Sequence, residues 1–275
     1  MKVILVPTDF SLAADNALNY AIPVAIKEAA KIVLVHAFNI DPMYTTRAFP
    51  GRLIEYEIIH AEERAKYHLR GKCESIKSEH NVVCEYISGF DFPVNFIKQA
   101  VKRFSPQMII MGTNGASSLS EKILGSTTAR IIGKADCPVI AIPASAKYHG
   151  VQKIAYALDF SQNDSNTFRK IKRLNSLFSA HVSVIHICKP QDADSHKTQL
   201  AQLKKKAEKE VGGNISYRII QASGIGDELM KIAKNKRYDI LVMVTHTRSF
   251  IESLFDSSET KRVSNSIRIP LLAFK

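Results

Sequence analysis

Met108-Ile109-Ile110-Met111-Gly112-Thr113-Asn114-Gly115 starts as an apolar run, breaks at two glycines, and returns nine residues later through Gly125-Ser126. The run reads as a strand covered on both faces. Glycine lets a backbone turn tightly and approach another group closely. Thr127-Thr128-Ala129-Arg130-Ile131-Ile132 then reads as the opening of a helix. A helix N-terminus presents free N–H donors and a positive dipole end to an anion. The stretch therefore reads as strand, glycine loop and anion-binding helix start. Two glycines near a strand end are weak evidence alone, so the weight falls on what surrounds them.

Upstream, Lys2-Val3-Ile4-Leu5-Val6-Pro7 is a short apolar strand ended by Thr8-Asp9-Phe10-Ser11, with Ser11 a good N-cap. Leu12 to Ala29 carries helical spacing, and Pro23 falls inside it, where proline bends or interrupts a helix. Lys31 to Phe38 is a second apolar strand, and a long helix runs from about Arg52 to Ser78. Val82 to Ser88 reads as a third strand closed by Gly89, and Val94 to Phe104 as a helix. Met108 to Met111 is the fourth strand, and Cys137 to Pro143 holds the fifth. Strands alternating with helices imply a parallel sheet. Ligands of such sheets sit at the carboxyl ends of the strands, where strand order reverses. Asp9, Ala37 and Gly112 occupy those ends.

After a small polar linker, Ala144 to Gly150, the pattern repeats. Lys153-Ile154-Ala155-Tyr156-Ala157-Leu158-Asp159-Phe160-Ser161 echoes the first strand and its Asp-Phe-Ser. His181 to Cys188 echoes the second strand and sets His186 opposite His36. Asp239 to Val244 and Pro270 to Phe274 echo the fourth and fifth. Two copies of one unit, residues 1–144 and 151–275, account for nearly the whole chain. The fold class is α/β: two tandem doubly wound domains related by a pseudo-two-fold, each with a five-stranded parallel sheet. The two fifth strands, near Val139 and Leu271, are expected to meet within one chain as an intramolecular pseudo-dimer and cover each other's edges. Further homodimerisation stays open.

Composition narrows the classes. The chain has 275 residues, 45% of them hydrophobic, enough for a core in each half. No apolar run reaches the ~18–20 residues of a membrane span, and with the first strand beginning almost at Met1 no signal peptide is expected. Four cysteines lie scattered without a Cys-x-x-Cys pair, as suits a reducing cytoplasm. The net charge of +12 divides as 17 − 14 = +3 up to residue 150 and 21 − 12 = +9 beyond it. The densest run, Lys204-Lys205-Lys206, sits among Glu208, Lys209 and Glu210 on a helix, a solvated face rather than a groove reader. Without an aromatic platform or docking motif, no nucleic-acid partner is expected, and no membrane partner either.

The spacing Gly112, two residues, Gly115, nine residues, Gly125-Ser126 resembles the pattern of the universal stress protein family in its tandem form. Pro7-Thr8-Asp9-Phe10-Ser11, Ile123-Leu124-Gly125-Ser126 and Cys137-Pro138-Val139-Ile140 resemble further family signatures. The resemblance implies an adenine nucleotide alpha hydrolase-like fold and, with the glycine pattern, an ATP-binding stress-response or signalling module. The implied site comprises Pro7, Thr8, Asp9, Ala37, Met111, Gly112, Asn114, Gly115, Gly125, Ser126 and Thr127. Backbone N–H groups at Gly112–Gly115 and Gly125–Ser126 would hold phosphates, with the Ser126 and Thr127 hydroxyls adding bonds. Asp9 would accept from ribose or the adenine amino group, and the Ala37 backbone would line the adenine. A divalent cation such as Mg would suit a site with few basic side chains. Ala116 departs from the basic or polar residue that many members carry there.

Other readings stand beside this one. Asp159 persists in the half that lost its glycines, so Asp9 also suits a turn-fixing role. His36 and His186 read as packed strand-end histidines, and His246 as a loop residue. Asn114 reads as a turn former, and Ser117, Ser118 and Ser120 as solvated loop residues. In the second half Val244, Thr247 and Ser257 replace the three glycines, while Ser258 keeps the serine. If each position needs positive φ or close approach, each side chain costs about 1–2 kcal/mol, so ATP binding in the same manner is not expected there. The alternatives are a nucleotide-independent interaction module and a weak ATPase. An adenylating enzyme of similar fold would need a Ser-Gly-Gly-x-Asp-Ser type loop, which Thr8-Asp9-Phe10-Ser11 lacks. No general base or arginine finger is apparent, so slow hydrolysis at most is expected.

Overall fold

A computed structural model of the chain describes residues 1–39, 51–113, 125–158, 160, 164–210, 214–244 and 267–274. The first half runs β1 (Lys2–Pro7), α1 (Leu12–Glu28), β2 (Ala30–Phe38), α2 (Gly51–His80), β3 (Cys84–Phe90), α3 (Pro93–Phe104), β4 (Met108–Gly112), α4 (Ser126–Lys134) and β5 (Val139–Ile142). The second runs β6 (Lys153–Ala157), α5 (Asp164–Phe178), β7 (His181–Cys188), α6 (Ala193–Glu210), β8 (Ile215–Gln221), α7 (Ile225–Lys234), β9 (Ile240–Val244) and β10 (Leu271–Phe274).

All described strands join one ten-stranded sheet in the order β3-β2-β1-β4-β5-β10-β9-β6-β7-β8. Within each half the pairings are parallel, and β1 lies between β2 and β4, where the winding direction reverses. The halves meet through an antiparallel β5–β10 pair, Leu271 opposite Ala141, Leu272 opposite Ile140 and Ala273 opposite Val139. Each fifth strand thereby covers the other's edge, as the sequence reading anticipates. Because side chains alternate along a strand, two cores form. One packs α1, α2, α5 and α6 on one face and runs through Ile140, Ile142 and Leu272 across both halves. The other packs α3, α4 and α7 on the opposite face.

Local chemistry explains the element ends. The Ser11 side chain accepts the Ala14 N–H at 3.3 Å and caps α1 as expected. The helix continues through Pro23 and ends at Ala29 in a left-handed conformation (φ 48°). Pro93 stands at the start of α3, where its missing N–H has no helical partner to lose.

Two expectations at β3 change. The strand begins at Cys84 rather than Val82, and it runs through Gly89 to Phe90 instead of closing there. Gly89 is in register with Ala37. A Cβ on it would fall 2.5 Å from the Phe96 ring, so the bare backbone makes room for an α3 aromatic. No described helix is long and apolar enough to cross a membrane.

Candidate functional site

The carboxyl ends of β1, β2 and β4 open onto a cavity of about 350 Å³, closed on one side by α3 and floored by the start of α4. Pro7, Thr8, Asp9, Ala37, Met111, Gly112, Gly125, Ser126 and Thr127 all line it. Those are nine of the eleven residues that the sequence points to. The other two, Asn114 and Gly115, lie outside the described residues, as do Ser117, Ser118, Ser120 and His246.

The first strand end is shaped by its own polar atoms. Asp9 Oδ1 accepts the Ser11 N–H at 3.1 Å and the Ser11 hydroxyl at 2.5 Å. The carboxylate therefore fixes the turn into α1, and it does so at the rim of the cavity. Thr8 Oγ1 accepts the N–H of Phe10, which sits at φ 62°. A bulky residue there costs about 1–2 kcal/mol. The Phe10 ring is packed 4.5 Å from the His36 ring and 5.4 Å from that of His68, which offsets the strain. His36 is a packed strand-end residue: its Nδ1 donates to the Thr8 carbonyl at 2.8 Å, and burial is the largest cause of its lowered pKa.

At β4 the glycine has a structural reason. A Cβ on Gly112 would lie 2.8 Å from the Ala13 carbonyl carbon and 2.8 Å from its Cβ. Close approach of α1, not a left-handed conformation, is what Gly112 supplies. Gly125 likewise sits at φ −62°, ψ 149°, a conformation open to any residue. The expected cost of a side chain from positive φ therefore does not apply at these two positions. Thr247, Ser257 and Ser258 lie outside the described residues. Val244 is buried at the register of Gly112.

The donors are distributed differently from the sequence reading. The Thr113 N–H bonds the Ile142 carbonyl at 2.9 Å, and the Gly125 N–H bonds the Thr113 carbonyl. The first amide bonded within α4 is that of Ala129, onto the Gly125 carbonyl at 3.0 Å. The amides of Ser126, Thr127 and Thr128 precede it and have no helical acceptor. These three, with the Ser126 and Thr127 hydroxyls, form the anion-attracting end of the cavity. The Thr128 hydroxyl instead donates to the Gly112 carbonyl at 2.8 Å and ties α4 to β4.

Sequence reasoning missed the apolar wall. Pro93 and Ile97 of α3 and Val35 of β2 also line the cavity. Nothing in the α3 pattern separates a core-facing position from a cavity-facing one. Among the described lining residues Asp9 is the only ionisable side chain. A ligand's negative charge would thus meet a helix dipole and amides, with no lysine or arginine among the described lining residues.

A ten-stranded sheet built from two doubly wound units, with a strand-end cleft over a helix N-terminus, defines a tandem doubly wound α/β protein. The model of the universal stress protein family matches residues 1–143 and again 150–275, and the chain belongs to that family. Universal stress protein MJ0531 of Methanocaldococcus jannaschii is 27% identical over 148 residues, covering 53% of this chain and 84% of its own. Universal stress protein Sll1388 of Synechocystis is 24% identical over 148 residues, covering 50% of this chain and 96% of its own. Each thus matches about one half of this chain. A crystal structure of a universal stress protein from Archaeoglobus fulgidus superposes over 99% of this chain and 98% of that one, with TM-score 0.70 and 17% identity. That likeness establishes the tandem fold.

Proposed function

We propose that the first half binds an adenine nucleotide, ATP, in the cleft between β1, β2, β4 and α4, and that the protein is a nucleotide-responsive module. The observation that carries this reading is convergence. Nine residues implied by a sequence resemblance, from three strand ends and a helix start, line a single cavity. Its volume of about 350 Å³ falls within the range of small-ligand pockets. The apolar wall of Val35, Pro93 and Ile97 suits a base, and the Ser126–Thr128 amides suit phosphate oxygens. Bound Mg would neutralise phosphate charge, which no side chain among the described lining residues does.

The same lining argues for binding rather than turnover. Among the described lining residues the one carboxylate, Asp9, is engaged by Ser11, and no histidine or lysine stands by as a base. Calorimetric titration with ATP, AMP and buffer separates the readings. We expect about one ATP per chain, weaker AMP, and slow release of inorganic phosphate at most. An interaction module without nucleotide would give no heat with either ligand. Rapid multiple-turnover release of phosphate would make the chain an enzyme instead.

A further inference from the structure

On the face of the sheet opposite the cleft, the two halves carry the same cluster in two chemical versions. In the first half the Phe10 ring packs on His36 and His68, with ring centroids 4.5 and 5.4 Å away. In the second half the Phe160 ring packs on His186 and His196, with centroids 4.2 and 5.5 Å away. His36 and His186 come from the strands β2 and β7, and His68 and His196 from the helices that follow, α2 and α6. Two residues past each strand histidine the copies differ: Phe38 in the first, Cys188 in the second. Alternation along a strand puts that residue on the histidine's own face.

The second version brings three metal-ligating atoms together. Those of His186, Cys188 and His196 all lie within 4.8 Å of one another. His186 Nδ1 donates to the Leu158 carbonyl at 3.0 Å. A carbonyl only accepts, so that nitrogen carries the proton and Nε2 keeps its lone pair. A backbone carbonyl on the far nitrogen is the usual support of a metal-bound imidazole. Nε2 faces His196 Nδ1 at 2.9 Å. His186 and Cys188 are buried, at 7% and 3% exposure, whereas His196 is half-buried and reachable from solvent. The turn Pro190–Asp192, tied by Ser195 Oγ donating to the Asp192 carbonyl at 2.9 Å, returns the chain so that α6 sets His196 over the strand end.

We propose that His186 Nε2, His196 Nδ1 and Cys188 Sγ bind one borderline-soft divalent cation, zinc by donor set, with the fourth position left to solvent water. Imidazole nitrogen and thiolate sulfur are both zinc donors, and a three-ligand zinc site leaves its fourth position to water. The thiol proton leaves on binding. The His196 proton now shared with His186 moves to His196 Nε2, so each ion releases one net proton above the histidine titration range. The site is independent of nucleotide: it lies in the other half and on the other face. The first half is its internal control, because Phe38 takes the thiol's place.

The test uses the full chain, stripped of metal with a chelator and titrated with Zn2+ by calorimetry in two buffers of different ionisation enthalpy. Co2+ serves as the optical probe. We expect one zinc and one released proton per chain, and a thiolate-to-cobalt charge-transfer band. Cys188→Ser should abolish the band and weaken zinc more than about a hundredfold, since loss of even an outer partner costs ~10–100-fold. His196→Ala, at a half-exposed position, should weaken zinc comparably with the circular dichroism unchanged. Cys137→Ser should leave both signals intact. No zinc binding in the stripped chain, or a charge-transfer band that survives Cys188→Ser, would overturn the proposal. Undiminished affinity in His196→Ala would do the same and mark the cluster as packing alone.

Discussion

Gly112 and Ala13 touch through bare backbone: a Cβ on the glycine would sit 2.8 Å from the Ala13 carbonyl carbon. The first turn of α1 thus lies directly on the end of β4, and the strand can bring it there only without a side chain. Gly112→Val should cost about 1–3 kcal/mol, the usual range for overpacking. Ala13→Gly should recover only part of it, because the Ala13 carbonyl carbon and oxygen remain. Urea midpoints of the single and double variants check this. An unchanged midpoint for Gly112→Val would mean that α1 yields freely.

Ile140 and Leu272 face each other across the antiparallel join, and both are almost completely buried. They belong to a core that spans both halves, so the halves should unfold together. Truncating either to Ala is expected to cost about 2–5 kcal/mol. A double-mutant cycle should show coupling of about 0.5 kcal/mol or more. Differential scanning calorimetry is the check: one shared transition is expected for all variants, and a shift confined to one of two transitions would refute the coupling.

The folded pKa of His36 lies below its ordinary 6.5, chiefly through burial, with the His68 charge adding to it against the Thr8 carbonyl and Asp9. Above pH 6.5 the ring is neutral in both states and stability does not change with it. As pH falls below 6.5 the unfolded chain takes up the proton first, so stability is lost down to the folded pKa. The loss is at most about 1.4 kcal/mol per pH unit for one group. His36→Gln should flatten the fall of the unfolding midpoint from pH 6.5 downward. An equally steep fall in the variant would assign the acid sensitivity to other groups.

The tandem architecture was readable because it is written in periodicity. Apolar strands at β1, β2 and β4 alternate with helical stripes, and the Asp-Phe-Ser of residues 9–11 recurs at 159–161. What stayed hidden depends on three-dimensional neighbours. Gly89 looked like a strand end, yet Phe96 claims the space beside it. The Gly125 amide looked free for phosphate, yet the Thr113 carbonyl takes it. His186 looked solitary because His196 comes ten residues later, on another element. Hydrogen bonds and close approaches of this kind leave no periodic trace.

Two equivalent strand positions, one lining the cleft and one in the second half, give the most direct test of nucleotide binding. Ala37 lines the first cleft, and Ile187 stands one residue past His186 as Ala37 does past His36. Calorimetric titration of ATP into the full chain and its Ala37→Ile and Ile187→Ala variants compares them. The account predicts about one ATP per chain, loss of binding in Ala37→Ile with the fold retained, and no change in Ile187→Ala. Binding that persists undiminished in Ala37→Ile, or is absent from the unaltered chain, would contradict it.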